Sequence, residues 1–122
     1  MRPLLRTPAA AYRRVDLDAR IEASAATDLT RICLEEAVAA LGHALVALER
    51  APETAPRDPL SRAHSIAIYL ARSVAPDNPV REALVQFYGG LADVIGRSMK
   101  DPRYAEIAQA RDDFRDVLGA VS

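Results

Sequence analysis

The sequence has few of the residues that stabilise small secreted or metal-binding domains. Of its 122 residues, one is a cysteine, five are glycines and none is a tryptophan. The single cysteine, Cys33, excludes an internal disulfide and a cysteine-rich zinc site. No apolar run approaches the ~20 residues that span a bilayer, and the sequence has no secretory signal. We therefore expect a cytoplasmic protein that does not insert into a membrane.

The chain also has little net charge and no pattern typical of β-strands. The formal net charge is −1, which argues against a nucleic-acid partner bound through a broad basic surface. β-Branched residues never gather into an alternating run, whereas alanine, the best intrinsic helix former, is the commonest residue. Apolar residues make up 50% of the chain, which argues against disorder. These features predict one all-α domain.

Three prolines directly follow an Asp or Asn, in the pairs Asp58-Pro59, Asn78-Pro79 and Asp101-Pro102. An Asp or Asn oxygen can accept hydrogen bonds from the first amides of a helix, and proline at the first position loses no N–H bond. Each pair therefore predicts a helix start, while Pro52 and Pro56 end the pattern before them. Together with apolar residues spaced three and four apart, they predict four helices over about residues 26–50, 59–75, 79–99 and 102–120.

The connections between these predicted helices are short, and short connections make sequential helices antiparallel neighbours. We therefore predict an antiparallel up-down four-helix bundle over residues 24–122. Residues 1–23 form a locally basic N-terminal arm that we expect to be partly flexible. Within it, residues 12–23 are mildly amphipathic and predict a short segment or helix lying across the bundle.

The residue types that carry catalysis or bind metal are poorly placed. Neither His43 nor His64 has an acidic residue three positions before it, so the Glu-x-x-His pairs of a di-iron bundle are missing. Cys33 lies on the apolar stripe of the first helix, where a free cysteine behaves as a small hydrophobic residue. No glycine-rich loop follows a strand. We therefore predict no enzyme activity, no catalytic residue, no metal site and no cofactor.

Gly89 and Gly90 lie inside the third predicted helix, where each glycine costs about 1 kcal/mol relative to alanine. Two interpretations remain open: close packing against a neighbouring helix, or a shallow groove that admits the backbone of a partner. Phe87, Tyr88 and Leu91 would form the apolar walls of such a groove. An amphipathic helix is the partner that this kind of surface accommodates.

Several short motifs recur in the order and spacing of a known family. They are Ala11-Tyr12-Arg13-Arg14-Val15, Ala23-Ser24 with Asp28-Leu29, Ala63-His64-Ser65-Ile66, Phe87-Tyr88 with Leu91 and Ile95, and Asp113-Phe114-Arg115-Asp116. Over about residues 11–118 the chain resembles the FliS family of flagellar secretion chaperones. It departs from that family in the first helix, where Cys33-Leu34-Glu35-Glu36 replaces Leu-Tyr-Asp-Gly, and at Gly89-Gly90, which replaces Asp-Tyr.

The resemblance implies a cytosolic chaperone of the bacterial flagellum and its type III secretion system. Such a protein binds the disordered C-terminal segment of flagellin, prevents premature polymerisation and delivers its client to the flagellar export gate. We expect contacts with the partner at Tyr12, Val15, Leu29, Leu34, Phe87, Tyr88 and Leu91. We also expect Tyr12 to act as a gate, its arm covering the groove until the client displaces it.

Two other functions are consistent with the same residues. A flagellin-specific regulatory protein of flagellum biosynthesis would share the short basic opening and the small helical size. A homodimeric helical scaffold without a client would share the bundle alone, so a homodimer is left open. Dimer formation that is independent of flagellin would favour the scaffold.

Overall fold

A computed structural model of the chain describes the backbone of residues 8–121 and the side chains of residues 27–121. This part contains four α-helices and no strand. The helices are α1 (Pro8–Arg50), α2 (Arg57–Ser73), α3 (Arg81–Ser98) and α4 (Tyr104–Val121). The chain divides into two compact units, residues 1–30 and 31–122, and the second unit contains the bundle. The prediction of an all-α four-helix bundle is confirmed.

Helix α1 begins at Pro8, whereas the sequence pattern predicted a start near residue 26. The residues between these two positions are rich in alanine and contain neither proline nor glycine after Pro8, so nothing in them ends a helix. Proline itself is well tolerated at the first helical position. Tyr12 and Val15 fall within α1, but their side chains lie outside the described residues. The placement of the arm across the bundle also lies outside them.

The other three helices begin two residues away from their predicted starts, and the predicted caps are not formed at α2 and α3. Helix α2 starts at Arg57 after Pro56, so Asp58 lies inside its first turn, where its charge favours the positive end of the helix dipole. Helix α3 starts at Arg81 after Val80, and neither helix has a side-chain cap. Asn78 instead closes a turn, since its Oδ1 accepts a hydrogen bond of 2.9 Å from the Val80 N–H.

One core joins the four helices of the second unit. Helix α2 packs on α3, and α3 packs on α4. Helix α1 contacts α2 through the ion pair of Glu36 with Arg62. It contacts α4 through the Tyr104 hydroxyl, which donates a hydrogen bond to the Glu49 carboxylate. The buried apolar residues come from every helix: Leu34, Ala37, Ala40, Leu41, Ala44, Leu45, Leu48, Leu60, Ala63, Ala67, Leu70, Tyr88, Leu91, Ala92, Ile95, Ile107, Ala110 and Phe114.

Two details describe how this core is closed. Ser98 is a fully buried polar residue, and its hydroxyl donates a 2.8 Å hydrogen bond to the Val94 carbonyl one turn earlier, so it carries no unpaired donor. Where α2 meets α3, the His64 ring lies 3.6 Å from the position that a Cβ would take on Gly96, which is an ordinary van der Waals distance.

Over the described residues, none of the helices combines the length and the apolar character needed to cross a membrane.

Candidate functional site

Three of the residues predicted to contact a partner belong to the core. Leu34, Tyr88 and Leu91 are 0%, 4% and 5% exposed, and each packs among the buried residues that hold the helices together. A partner could touch them only if the bundle opened. The sequence does not distinguish the two cases, because an apolar stripe that faces a core and one that faces a partner have the same spacing.

The two other described residues of the predicted site are accessible. Leu29 is 45% exposed and lies on α1 in the first unit. Phe87 is half-buried on α3, and its ring meets the ring of Tyr88 edge to face, with centroids 5.5 Å apart and planes at 63°. This geometry is favourable for an aromatic pair and anchors Phe87 to the core while part of its ring reaches the surface.

The two glycines next to Phe87 and Tyr88 line an open surface. A Cβ built on Gly89 or on Gly90 meets no heavy atom within 4 Å, and both residues have some exposure, with Gly90 the more exposed. Of the two interpretations left open by the sequence, close packing against a neighbouring helix is therefore excluded among the described residues. The outer face of α3 lacks two side chains that the bundle has room for.

Sequence reasoning missed an exposed apolar line on α1. Ile32 and Val46 on α1 are 49% and 47% exposed. Exposed Ala39 lies midway between them, seven residues from each. The seven-residue spacing does not distinguish this line from the core, because Leu34 and Leu41 repeat the same interval on the buried face.

Two grooves flank the helix pairs. A groove of about 520 Å³ runs between α1 and the start of α2, and another of about 490 Å³ lies between α2 and α3. The ion pair of Glu36 with Arg62, at 2.7 Å, lies in the first groove, but both side chains are about half exposed or more, so the pair contributes little to stability. The second groove is lined by His64, Ala92, Asp93, Gly96, Arg97 and Lys100.

Three titratable groups, Cys33, Tyr88 and Tyr104, have raised pKa values. Burial raises the pKa of the Cys33 thiol, with a smaller contribution from the negative charge of Glu36, so the thiol is a weak nucleophile. Burial also raises the pKa of Tyr88. The pKa of Tyr104 is raised chiefly because its hydroxyl donates to the Glu49 carboxylate. Among residues 27–121, no three His, Cys, Asp or Glu side chains come together in a way that could hold a metal ion.

These features define a small helical bundle with accessible apolar residues and open glycines on its outer faces. No protein-family model matches the chain, and no curated protein or solved structure matches it either.

Proposed function

We propose that the protein is a cytoplasmic flagellar secretion chaperone that acts by binding and not by catalysis. Its client is the disordered C-terminal segment of flagellin, which it keeps from polymerising prematurely and makes ready for the flagellar export gate. The choice of client comes from the resemblance of the sequence to the FliS family. The observation that supports a partner surface is the open glycine pair of α3.

Two adjacent glycines inside a helix cost about 2 kcal/mol of helix stability relative to alanine. The described neighbours of Gly89 and Gly90 do not require glycine at these positions, since both have room for a side chain. A partner helix that lies on this face can bring its backbone close to α3, because no Cβ separates the two. Phe87, half-buried beside the glycines, offers an aromatic contact at the edge of the same face.

A disordered client suits such a surface. A segment that folds as it binds covers a large area yet pays the cost of its own ordering, so its affinity stays moderate. Moderate affinity is what a chaperone needs when its client must leave again for export. The same coupling predicts that helical content rises when client and protein mix.

The test is a calorimetric titration of the full chain with the C-terminal segment of the flagellin encoded in the same genome, paired with circular dichroism. We expect 1:1 binding, a gain in helicity and a negative heat-capacity change. Absence of binding would overturn the proposed function and leave the regulatory protein or the scaffold.

A matched pair of variants locates the surface. The double variant Gly89→Gln, Gly90→Gln adds two side chains on the face of α3, and we expect it to fold and to bind the client at least tenfold more weakly. The control is Gly119→Gln, which fills an equally open glycine on α4 and is expected to bind like the natural chain. Equal binding by the double variant would move the contact to another face.

A further inference from the structure

The outer face of α1 carries an apolar line that the rest of the bundle leaves exposed. Ile32 and Val46 are about half exposed, and the exposed Ala39 lies midway between them. Gly42 lies on the same side, three residues after Ala39, and a Cβ built on it would meet no heavy atom within 4 Å. These residues belong to the second unit, residues 31–122. At 1.5 Å per residue the line is about 21 Å long, which is about four turns of helix.

Carboxylates surround the middle of this line. Glu35 and Glu36 are exposed on α1, and Asp58 in the first turn of α2 lines the groove of about 520 Å³ that Ala39 also lines. Arg62 is the one arginine of that groove among the described residues, and its guanidinium lies 2.7 Å from the Glu36 carboxylate. Three carboxylates against one guanidinium leave an excess of two negative charges, with the histidine of the groove counted as neutral.

The other cations of α1 lie too far away to cancel this excess. Arg31 and Arg50 are near the two ends of the line, 8 and 11 residues from Ala39. Along the helix axis these separations are about 12 and 16 Å, which exceed the Debye length of ~8 Å at physiological salt. The arginine that opens α2 does not line the groove. In the part of the chain that the structure describes, neither Glu35 nor Asp58 forms an ion pair.

An apolar line with an acidic rim selects the class of partner. A second copy of the chain would bring its own carboxylates against these ones, and the phosphates of a nucleic acid or an anionic lipid would be repelled as well. An amphipathic helix with Lys or Arg beside its apolar residues matches both features. Its apolar residues would meet Ile32 and Val46, and its cations would meet the carboxylates of Glu35 and Asp58. The small residues at the centre of the line would let the two helices approach closely.

We propose that the outer face of α1, from Ile32 to Val46, binds a basic amphipathic helix of a partner protein. This second partner goes beyond the chaperone function proposed above, which depends on the face of α3 around Gly89 and Gly90. The two faces share no residue, so we expect the chain to bind both partners at once. The contact is small for a specific interface, so we expect a dissociation constant in the micromolar range.

The test uses the full chain and a labelled synthetic peptide of about 18 residues, which is five turns of helix. Its leucines repeat every three and four residues, and lysines flank them. Fluorescence anisotropy should show micromolar binding that weakens as salt is added, because the charges at the rim are exposed. A second peptide, in which glutamate replaces every lysine, keeps the apolar stripe and should not bind. No flagellin is present, so a failure here leaves the proposed chaperone function standing.

Paired variants locate the surface. Glu35→Gln with Asp58→Asn should weaken binding of the basic peptide about fivefold and flatten its salt dependence. The matched control, Glu82→Gln with Asp93→Asn, removes the same charge from exposed positions of α3 and should bind like the natural chain.

Ile32→Ser with Val46→Ser should weaken binding of the basic peptide by about tenfold or more. Both side chains are about half exposed, so circular dichroism should show this variant folded. Absence of binding, equal binding of the acidic peptide, or unchanged binding by either variant of this face overturns the proposal. Competition by the flagellin segment would assign the face to that client and overturn it too, as would a dimer of the natural chain that Ile32→Ser with Val46→Ser abolishes.

Discussion

Replacing Gly89 and Gly90 by alanine should stabilise the protein substantially. Both glycines lie inside α3, where alanine is favoured over glycine by about 0.8 to 1.0 kcal/mol per residue. A methyl group at either position meets no described heavy atom within 4 Å, and no glycine among the described residues has a positive φ that alanine would strain. The double variant should therefore raise the free energy of unfolding by about 2 kcal/mol.

Urea denaturation followed by circular dichroism measures this gain as a shift of the midpoint at constant slope. In a thermal scan the melting temperature should rise by about 8 °C, since about 1 kcal/mol shifts a domain of this size by about 4 °C. Gly119→Ala, in the last turn of α4, is the control and should gain less than half as much as one of the α3 variants. An unchanged or lowered stability would refute the reasoning, because it would mean that something packs closely against this face.

Three further predictions concern the core and its titratable groups. Leu41→Ala removes a fully buried side chain and should lower the free energy of unfolding by about 2 to 5 kcal/mol in urea titrations. Because Tyr88 and Tyr104 have raised pKa values, the stability they contribute is complete below their ordinary pKa of 10.0 and is lost as pH rises through the folded values. Stability measured between pH 9 and pH 12 should therefore fall, less steeply in Tyr104→Phe, and equal slopes would contradict the role of the Glu49 hydrogen bond. The raised pKa of Cys33 should make its alkylation at neutral pH slower than in the urea-unfolded chain, and equal rates would show an accessible thiolate.

The number and order of the helices could be predicted because proline leaves a strong local signal. Pro59, Pro79 and Pro102 mark the three connections, and α2, α3 and α4 each begin two residues from their predicted starts, whereas α1 begins far earlier than predicted, at Pro8. The error came from the caps: the chain enters α2 and α3 through Pro56 and Val80. Local hydrogen-bonding preference cannot tell which of several polar or proline residues at a junction becomes the last non-helical one.

The candidate site was much harder to predict. Leu34 and Ile32 are two residues apart on α1, equally apolar, and both belong to spacing patterns of three and four. Only the packing of the other helices decides that Leu34 is enclosed and Ile32 is half exposed. The openness of Gly89 and Gly90 is likewise a property of what surrounds them, and composition alone left close packing and a free surface equally acceptable.

The core described above contains seven alanines among its eighteen buried apolar residues. Alanine has no side-chain rotamers to lose, so these positions fold at little entropic cost. The alignment of the helices along their axes therefore depends on the other eleven, larger side chains, of which Phe114 and Tyr88 are aromatic and fill the largest spaces. In this bundle the small residues allow the helices to approach closely, and the large residues fix how the helices are aligned along their axes.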